Sequence, residues 1–401
     1  MSGFAVHPLG ATQAPTEPRG GIRVPEATWQ LDGGWGWVYF AQGHDAIQQP
    51  IILSDGFHPG ESDRNALYLG FNDPNGYPLI NELNQRGYDV VILGYQDCTA
   101  SIYDNARTAT TAIMRANAEN LTDTPLVVGG FSMGGLILRY ALLRLELMRM
   151  DHRVSVYFSF DTPHSGAWIP VSLQSFAYYI QPLYSGLADM IDSPAARQML
   201  WRHKTNLAAE PVEHPDRTEF VAQLKRMGDW PMRPMKIGVA NGRGDGRGNG
   251  NPPGRAAFKV TGGLYIGTEL YLQPSGEAET VAKLCRLLGF PVYKRTSGYP
   301  ELDSAAGGTL DSFGIAAETL NALVGQSAEA PYPTITFVPS ISALAVDGAD
   351  IGKQQDLDLN IDQLGEDRFP FDVCKTSPDN TGHTEITRDL CAWLVDQLPA
   401  K

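Results

Sequence analysis

Short apolar runs recur along the first half of the chain, each bounded by residues that break regular structure. Residues 51–53 (Ile-Ile-Leu), 90–93 (Val-Val-Ile-Leu), 126–128 (Leu-Val-Val) and the stretch 154–160 have this form. A run without polar alternation belongs to a strand covered on both faces, which is the condition of a parallel sheet. Residues 35–41 read as one further, earlier strand. Between the runs lie segments of helical length at 79–85, 102–120 and from 136 onward. Pro78 suits a first helical turn, because its ring presets a helical φ and the missing N–H would be unpaired there anyway. Alternation of strand and helix from 51 to 160 predicts a mostly parallel sheet with right-handed crossovers, and so an α/β fold with helices on both faces.

The pattern then loosens. Residues 168–191 are aromatic and nearly uncharged, with Phe176, Tyr178, Tyr179 and Tyr184, and read either as a lid over an apolar pocket or as ordinary core helix. Helical segments follow at 195–207 and 218–227, and a strand at 235–240. The Gly-, Asn- and Arg-rich residues 241–254 make a loop, 258–272 alternates like a hairpin, and 275–330 reads as an insertion with one helix around 278–288. Residues 334–344 predict another strand. In the last helix Ile386, Leu390, Trp393, Leu394 and Leu398 share a face. Residues 1–28, rich in Pro, Gly and Thr, read as an extended arm. The organisation expected is therefore that arm followed by a single domain, 29–401, carrying a cap at 167–230 and an insertion at 255–333.

Composition narrows the function. A net charge of −14 over 401 residues, with no basic block to offset it, argues against nucleic acid or an anionic membrane as a general partner. No apolar run approaches the roughly 20 residues of a membrane span, and residues 1–19 lack a basic start followed by an apolar stretch. A soluble protein, cytoplasmic or secreted, is the expectation. Four cysteines without C-x-x-C spacing predict no metal site, and the single Asp among three Arg between 243 and 255 is a poor calcium set. Cys374 and Cys391 either pair in an oxidising compartment or stay as buried thiols.

The chemistry centres on Gly130-Phe131-Ser132-Met133-Gly134, set without a gap between a buried strand and a long apolar helix. A G-x-S-x-G sequence in that context is a turn so tight that the residues flanking the serine nearly touch, so glycine stands at both. The helix N-terminus behind the serine favours an anion there. With Ile51 to Gly60 (IILSDGFHPG), Phe158 to Gly166 (FSFDTPHSG) and Asn380 to Ile386 (NTGHTEI), this stretch resembles the α/β-hydrolase superfamily, and within it the bacterial lipases and esterases.

That resemblance implies a serine nucleophile at Ser132 and a histidine base just before the last helix, at His383. It implies an oxyanion hole from the N–H of Met133 and of Phe57, with Gly56 letting the chain bend close. Two strand ends offer the acid. Asp245 follows the strand that bears it in most α/β-hydrolases but sits among Arg243 and Arg247, whereas Asp161 immediately follows strand 154–160, its place in pancreatic-type lipases. Asp161 is favoured, because a carboxylate that orients imidazole has to be rigid and dry. His164 and Trp168, with Gly56, are expected to shape the pocket; Asp55 is expected to fix its loop through backbone amides and His58 to act as a wall. The function implied is hydrolysis of a small-molecule, lipid or polyester ester through an acyl-enzyme without cofactor. The rivals are acyl transfer by the same residues and a silent binding module.

Overall fold

The computed structural model describes residues 22–73 and 76–399. An antiparallel pair, β1 (Ala27–Leu31) and β2 (Gly34–Tyr39), precedes β3 (Pro50–Ser54), α1 (Arg64–Phe71), α2 (Leu79–Gln85), β4 (Asp89–Tyr95), α3 (Ile102–Glu119), β5 (Leu126–Phe131), α4 (Met133–Leu147) and β6 (Val154–Phe160). Four helices follow: α5 (Val171–Ile180), α6 (Gly186–Ile191), α7 (Pro194–Met199) and α8 (Pro215–Arg226). Next come β7 (Met235–Arg243), β8 (Ala256–Gly262), β9 (Glu269–Tyr271), β10 (Glu279–Leu284), β11 (Val292–Thr296) and β12 (Gly307–Leu310). The chain closes with α9 (Ser312–Asn321), β13 (Ser327–Glu329), β14 (Ile335–Pro339), α10 (Ser340–Ala343), α11 (Gln354–Leu357), β15 (Val373–Ser377) and α12 (Arg388–Gln397).

Eight strands form the central sheet in the order β1-β2-β4-β3-β5-β6-β7-β15, parallel from β4 onward, with β1 and β2 antiparallel at one edge. With helices on both faces, this is the α/β-hydrolase architecture. The apolar runs divide between the faces residue by residue. Ile52, Val91, Leu93 and Val128 pack with α3 and α4, while Ile51, Leu53, Val90, Ile92 and Val127 pack with α1, α2 and α12. Both faces are dry, which explains why these strands carry no polar alternation; each such side chain contributes roughly 1.5–3 kcal/mol by leaving water. From β3 the chain moves to one side to make β4 and then returns to the other side for β5. The carboxyl ends of β3 and β5 therefore flank the point where strand order reverses, the crevice in which open α/β sheets take ligands.

A second unit has its own core. Residues from α5 and α7 pack with a five-stranded antiparallel sheet, β11-β10-β9-β8-β13, and with β14 and α10. Helix α5 is buried along nearly its whole length, Phe176 meeting Phe258 and Tyr179 meeting Tyr265. It lies inside this core rather than across an opening.

Several expectations are corrected. The helix expected around 278–288 is the strand β10, because Ala282 pairs with Leu270 on one side and Lys294 on the other. The helix expected at 195–207 stops at Met199, since the next residues turn to bond other segments, Trp201 N–H donating to Ala167 O and His203 exchanging bonds with Val212. The strand at 334–344 is β14 only to Pro339, after which the chain turns into α10. Of the arm, residues 1–21 lie outside the described residues, and Ala27 and Thr28 already pair with Val38 and Trp37 in β1. Cys374 and Cys391 are free thiols, Cys391 buried and Cys374 partly so. Among the described residues no helix is long and apolar enough to cross a membrane.

Candidate active site

Ser132 stands between β5 and α4 with φ 53° and ψ −126°, a conformation L-residues rarely adopt and one that costs about 1–3 kcal/mol. The flanking glycines make it attainable. A β-carbon on Gly130 would stand 2.2 Å from the backbone of Gly134 and Gly135, and one on Gly134 would stand 2.5 Å from Asp55 O. The sheet ladder continues one step past the strands, Ser132 N–H donating to Phe160 O (2.9 Å) and Asp161 N–H to Val239 O (2.7 Å). Asp161, at the end of β6, also has a positive φ, 49°. Two strained, non-glycine residues thus end two adjacent strands.

His383 joins them. Its Nε2 is 2.7 Å from Ser132 Oγ and its Nδ1 2.7 Å from Asp161 Oδ2. Asp161 has no exposed surface, and Ser132 and His383 are only 8% and 5% exposed, so the line of bonds runs through a nearly dry interior and opens at the serine. The second carboxylate oxygen of Asp161 accepts from Asn241 N–H at the end of β7 (2.9 Å). Over it lies β12, where a β-carbon on Gly308 would sit 1.9 Å from Asp161 Oδ2.

The histidine loop is pinned from two sides. His383 N–H donates to Thr309 O (2.7 Å), Thr309 N–H to Thr381 O (2.9 Å), and Thr381 N–H to Asn241 O (3.0 Å). The Asn241 side-chain amide reaches Thr381 Oγ1 and Glu385 O, both at 3.0 Å. Phe337 of β14 meets the imidazole edge to face at 4.9 Å. Asn241, Gly308, Thr309 and Phe337 are not singled out by the sequence, since each acts through a partner distant in the chain.

Opposite the serine, the loop after β3 is held by Asp55. One carboxylate oxygen accepts from Gly56 N–H (2.7 Å); the other accepts from Ser62 Oγ (2.5 Å) and meets His58 Nε2 (2.9 Å). Burial works against a charged His58, yet the bond to Asp55, the charge of that carboxylate, and the smaller effects of Pro59 O and Asp63 together raise the imidazole above its ordinary value. Cys98 Sγ lies 3.7 Å from the same carboxylate, completing a buried Asp-His-Cys cluster that is knit by hydrogen bonds. A β-carbon on Gly56 would touch Ser132 Cβ at 3.1 Å, so this loop passes directly over the serine, with Phe57 half-buried next to it. Met133 N–H, the first of α4, has no partner within the helix.

The remaining expected residues lie elsewhere. Asp245 is two residues past β7 and forms a two-pronged ion pair with Arg243 (2.9 and 2.5 Å), which pulls its carboxyl far below the usual range; it makes no bond to His383. His164 sits beneath the serine turn, Nε2 2.8 Å from Ser159 Oγ and Nδ1 3.3 Å from Arg139, with its ring against Trp230 and Phe371. Burial first, and the Arg139 guanidinium second, push it well below its ordinary pKa and keep it neutral. Trp168, expected on a pocket wall, has no exposed surface; its indole N–H donates to buried Asp303 (2.6 Å) and its ring packs on Trp201 and Tyr299 in the second core.

No known protein-family model matches the chain, and no curated protein matches it. Solved structures do. A mature lipase of Bacillus licheniformis, BlEst2, is 12% identical and covers 55% of this chain and 73% of its own, with a TM-score of 0.34. A Pyrobaculum calidifontis esterase is 14% identical over 53% of this chain and 65% of its own, with a TM-score of 0.32. Lipase B of Aspergillus fumigatus is 17% identical over 50% of this chain and 40% of its own, with a TM-score of 0.33. These neighbours are ester hydrolases, and the likeness is one of partial fold.

Proposed function

We propose that this chain is a serine hydrolase of carboxylic esters, with Ser132 as nucleophile, His383 as general base and then acid, and Asp161 as the orienting carboxylate. The observation that carries the reading is the unbroken line from Ser132 Oγ through the imidazole to the buried Asp161 carboxylate, 2.7 Å at each step. A serine hydroxyl becomes an effective nucleophile only if its proton leaves as the new bond forms, and a neutral imidazole suits that task near neutral pH. Asp161 accepting at Nδ1 keeps the Nε2 lone pair facing Ser132 and stabilises the imidazolium once the proton arrives.

The cycle balances on these groups. Oγ adds to the ester carbonyl while His383 Nε2 takes its proton, and the tetrahedral oxyanion is held by Met133 N–H and Phe57 N–H. Each such donor is worth about 3 kcal/mol by the cost of deleting one. The intermediate collapses to the acyl-enzyme as His383 returns the proton to the leaving alkoxide. Water then adds under the same base, releasing the acid and restoring Ser132. Gly56 fits this role, since any side chain there would crowd Ser132. The Asp55 bond to Gly56 N–H leaves the next N–H, that of Phe57, for the oxyanion.

The second unit supplies the acid's cover through Gly308 and the histidine's backbone anchor through Thr309, so it belongs to the site as well as flanking it. The test is covalent labelling by a fluorophosphonate followed by peptide mass spectrometry, with p-nitrophenyl esters of short and medium chain as substrates. Label on Ser132, lost in Ser132→Ala together with turnover, is the expected result. Folded protein that takes label elsewhere, or none, refutes the assignment.

A further inference from the structure

The tip between β10 and β11 is built from residues that a water-facing hairpin ordinarily avoids. Leu287, Leu288 and Phe290 are 59%, 101% and 95% exposed, and Val292 and Tyr293 at the start of β11 are exposed as well. The tip is an ordered turn, with Gly289 N–H donating to Arg286 O (2.8 Å) and Leu287 N–H to Leu264 O (2.7 Å). The second bond ties it to the neighbouring turn after β8, which presents Ile266, 46% exposed. Several large apolar side chains gathered on one projection mark a surface made for contact.

The charges around it say what kind of contact. Arg286 precedes the apolar tip, and Lys294 and Arg295 follow it on the edge strand β11. At the base of the hairpin, Lys294 and Arg295 share a cleft of about 340 Å³ with Lys204, whose Nζ donates to Ala209 O. Among the described residues none of these four cations has a carboxylate within ion-pair distance. Glu210 is the single acid lining the cleft. Burial, and next the positive charge of Lys294, lower the buried Lys204 ammonium to about 8 against the smaller opposing effect of Glu210.

We propose that the β10–β11 hairpin is a docking element for an anionic lipid surface, its Leu287-Leu288-Gly289-Phe290 tip entering the acyl boundary while Arg286, Lys294 and Arg295 meet the phosphate headgroups. Apolar side chains leading and cations behind are the two components by which a peripheral protein holds a membrane, and an exposed tyrosine such as Tyr293 suits the headgroup level between them. The local positive charge is what allows a chain of net charge −14 to approach such a surface at all.

The experiment uses full-length Ser132→Ala protein, so that lipid stays intact and binding is read without turnover. Loss of this binding leaves the ester-hydrolase reading standing, and loss of hydrolysis leaves this one standing. Pelleting with phosphatidylcholine vesicles containing about one-third phosphatidylglycerol is expected, with weaker pelleting on pure phosphatidylcholine and in high salt. Adding Leu288→Asp and Phe290→Asp, exposed changes that leave the thermal midpoint in place, lowers vesicle binding about tenfold or more, and Lys294→Gln with Arg295→Gln lowers it several-fold. The proposal is overturned if the parent does not bind the anionic vesicles, or if the Asp pair leaves binding unchanged. It is equally overturned if ultracentrifugation shows self-association that the Asp pair abolishes, which assigns the tip to a second copy of the chain.

Discussion

Gly308 and Asp161 are in contact across two units of the molecule: a single β-carbon on the glycine would overlap a carboxylate oxygen, at 1.9 Å. Nothing flexible gives way there, since Asp161 is also fixed by Asn241 N–H and by His383. Gly308→Ala is therefore expected to shift β12 or the carboxylate, at a cost of about 1–3 kcal/mol in stability. A displaced Asp161 lowers kcat as well. Thermal melts and ester kinetics on the same preparation check both effects, and unchanged kcat in a folded variant contradicts the contact.

Asp161→Asn is expected to lower kcat by about 10⁴ with the fold intact, because an amide at that place no longer selects the imidazole tautomer whose Nε2 accepts the serine proton. Asp245→Asn removes only a partly exposed ion pair with Arg243 and leaves kcat within a small factor. Side-by-side kinetics decide; the reverse ranking moves the acid to Asp245.

How far these assignments were legible follows from where each residue's information lies. Strands β3 to β6 are covered on both faces, so burial wrote itself into their sequence as unbroken apolar runs, and the G-x-S-x-G turn needs its glycines for contacts within a few residues. The edge strand β15, Val-Cys-Lys-Thr-Ser, is only partly buried and has no such run. Residues 278–288 hold good helix formers, yet β9 and β11 capture Ala282 as a strand, and pairing with distant segments outweighed local preference. Trp168 follows the Asp161 turn closely in sequence, but its indole N–H needs an acceptor and finds it in Asp303, 135 positions away. The clasp of Asn241, Gly308 and Thr309 around the histidine loop is likewise a fact of tertiary structure alone.

Asp303 makes the second core sensitive to pH. Burial raises its carboxyl to about 6, although Trp168 and Gln273 N–H both donate to it. The unfolded group titrates near 3.9, so between about pH 4 and 6 the folded state binds more protons than the unfolded state, and stability falls as pH rises through that window. The group is fully buried, and the shift corresponds to something on the order of 3 kcal/mol. Urea midpoints of wild type and Asp303→Asn at pH 4 and pH 7 test this. The wild type is expected to lose stability relative to the variant on going to pH 7, and a constant difference contradicts it.

Tyr178 distinguishes a core helix from a moving one. Its side chain is 9% exposed and its hydroxyl donates to Lys204 O (2.8 Å). Tyr178→Ala is expected to cost about 3 kcal/mol, the usual result of emptying a buried aromatic site. Denaturant melts read the stability, and p-nitrophenyl esters of graded chain length read the pocket. A change of chain-length preference without loss of stability is the outcome of a lid, and contradicts the fixed packing of Tyr178 against Ala188 and Ile191 of α6.

The clasp on the histidine loop also sets the order in which a functional molecule comes into being. Ser132 and its strand neighbours belong to the early, local half of the sheet, but His383 is held by Thr309 and Asp161 is roofed by Gly308, on a strand that pairs with β14 and stands with the second core. The Asp161–Gly308 contact closes a loop of about 150 residues and the Thr309–His383 bond one of about 75, and such contacts close late, because their loop entropy must be overcome before they return anything. In a refolding experiment, recovery of ester turnover is then the final event, trailing the return of the sheet. Turnover thereby becomes a clock for the arrival of β12 rather than for the elbow that bears the serine.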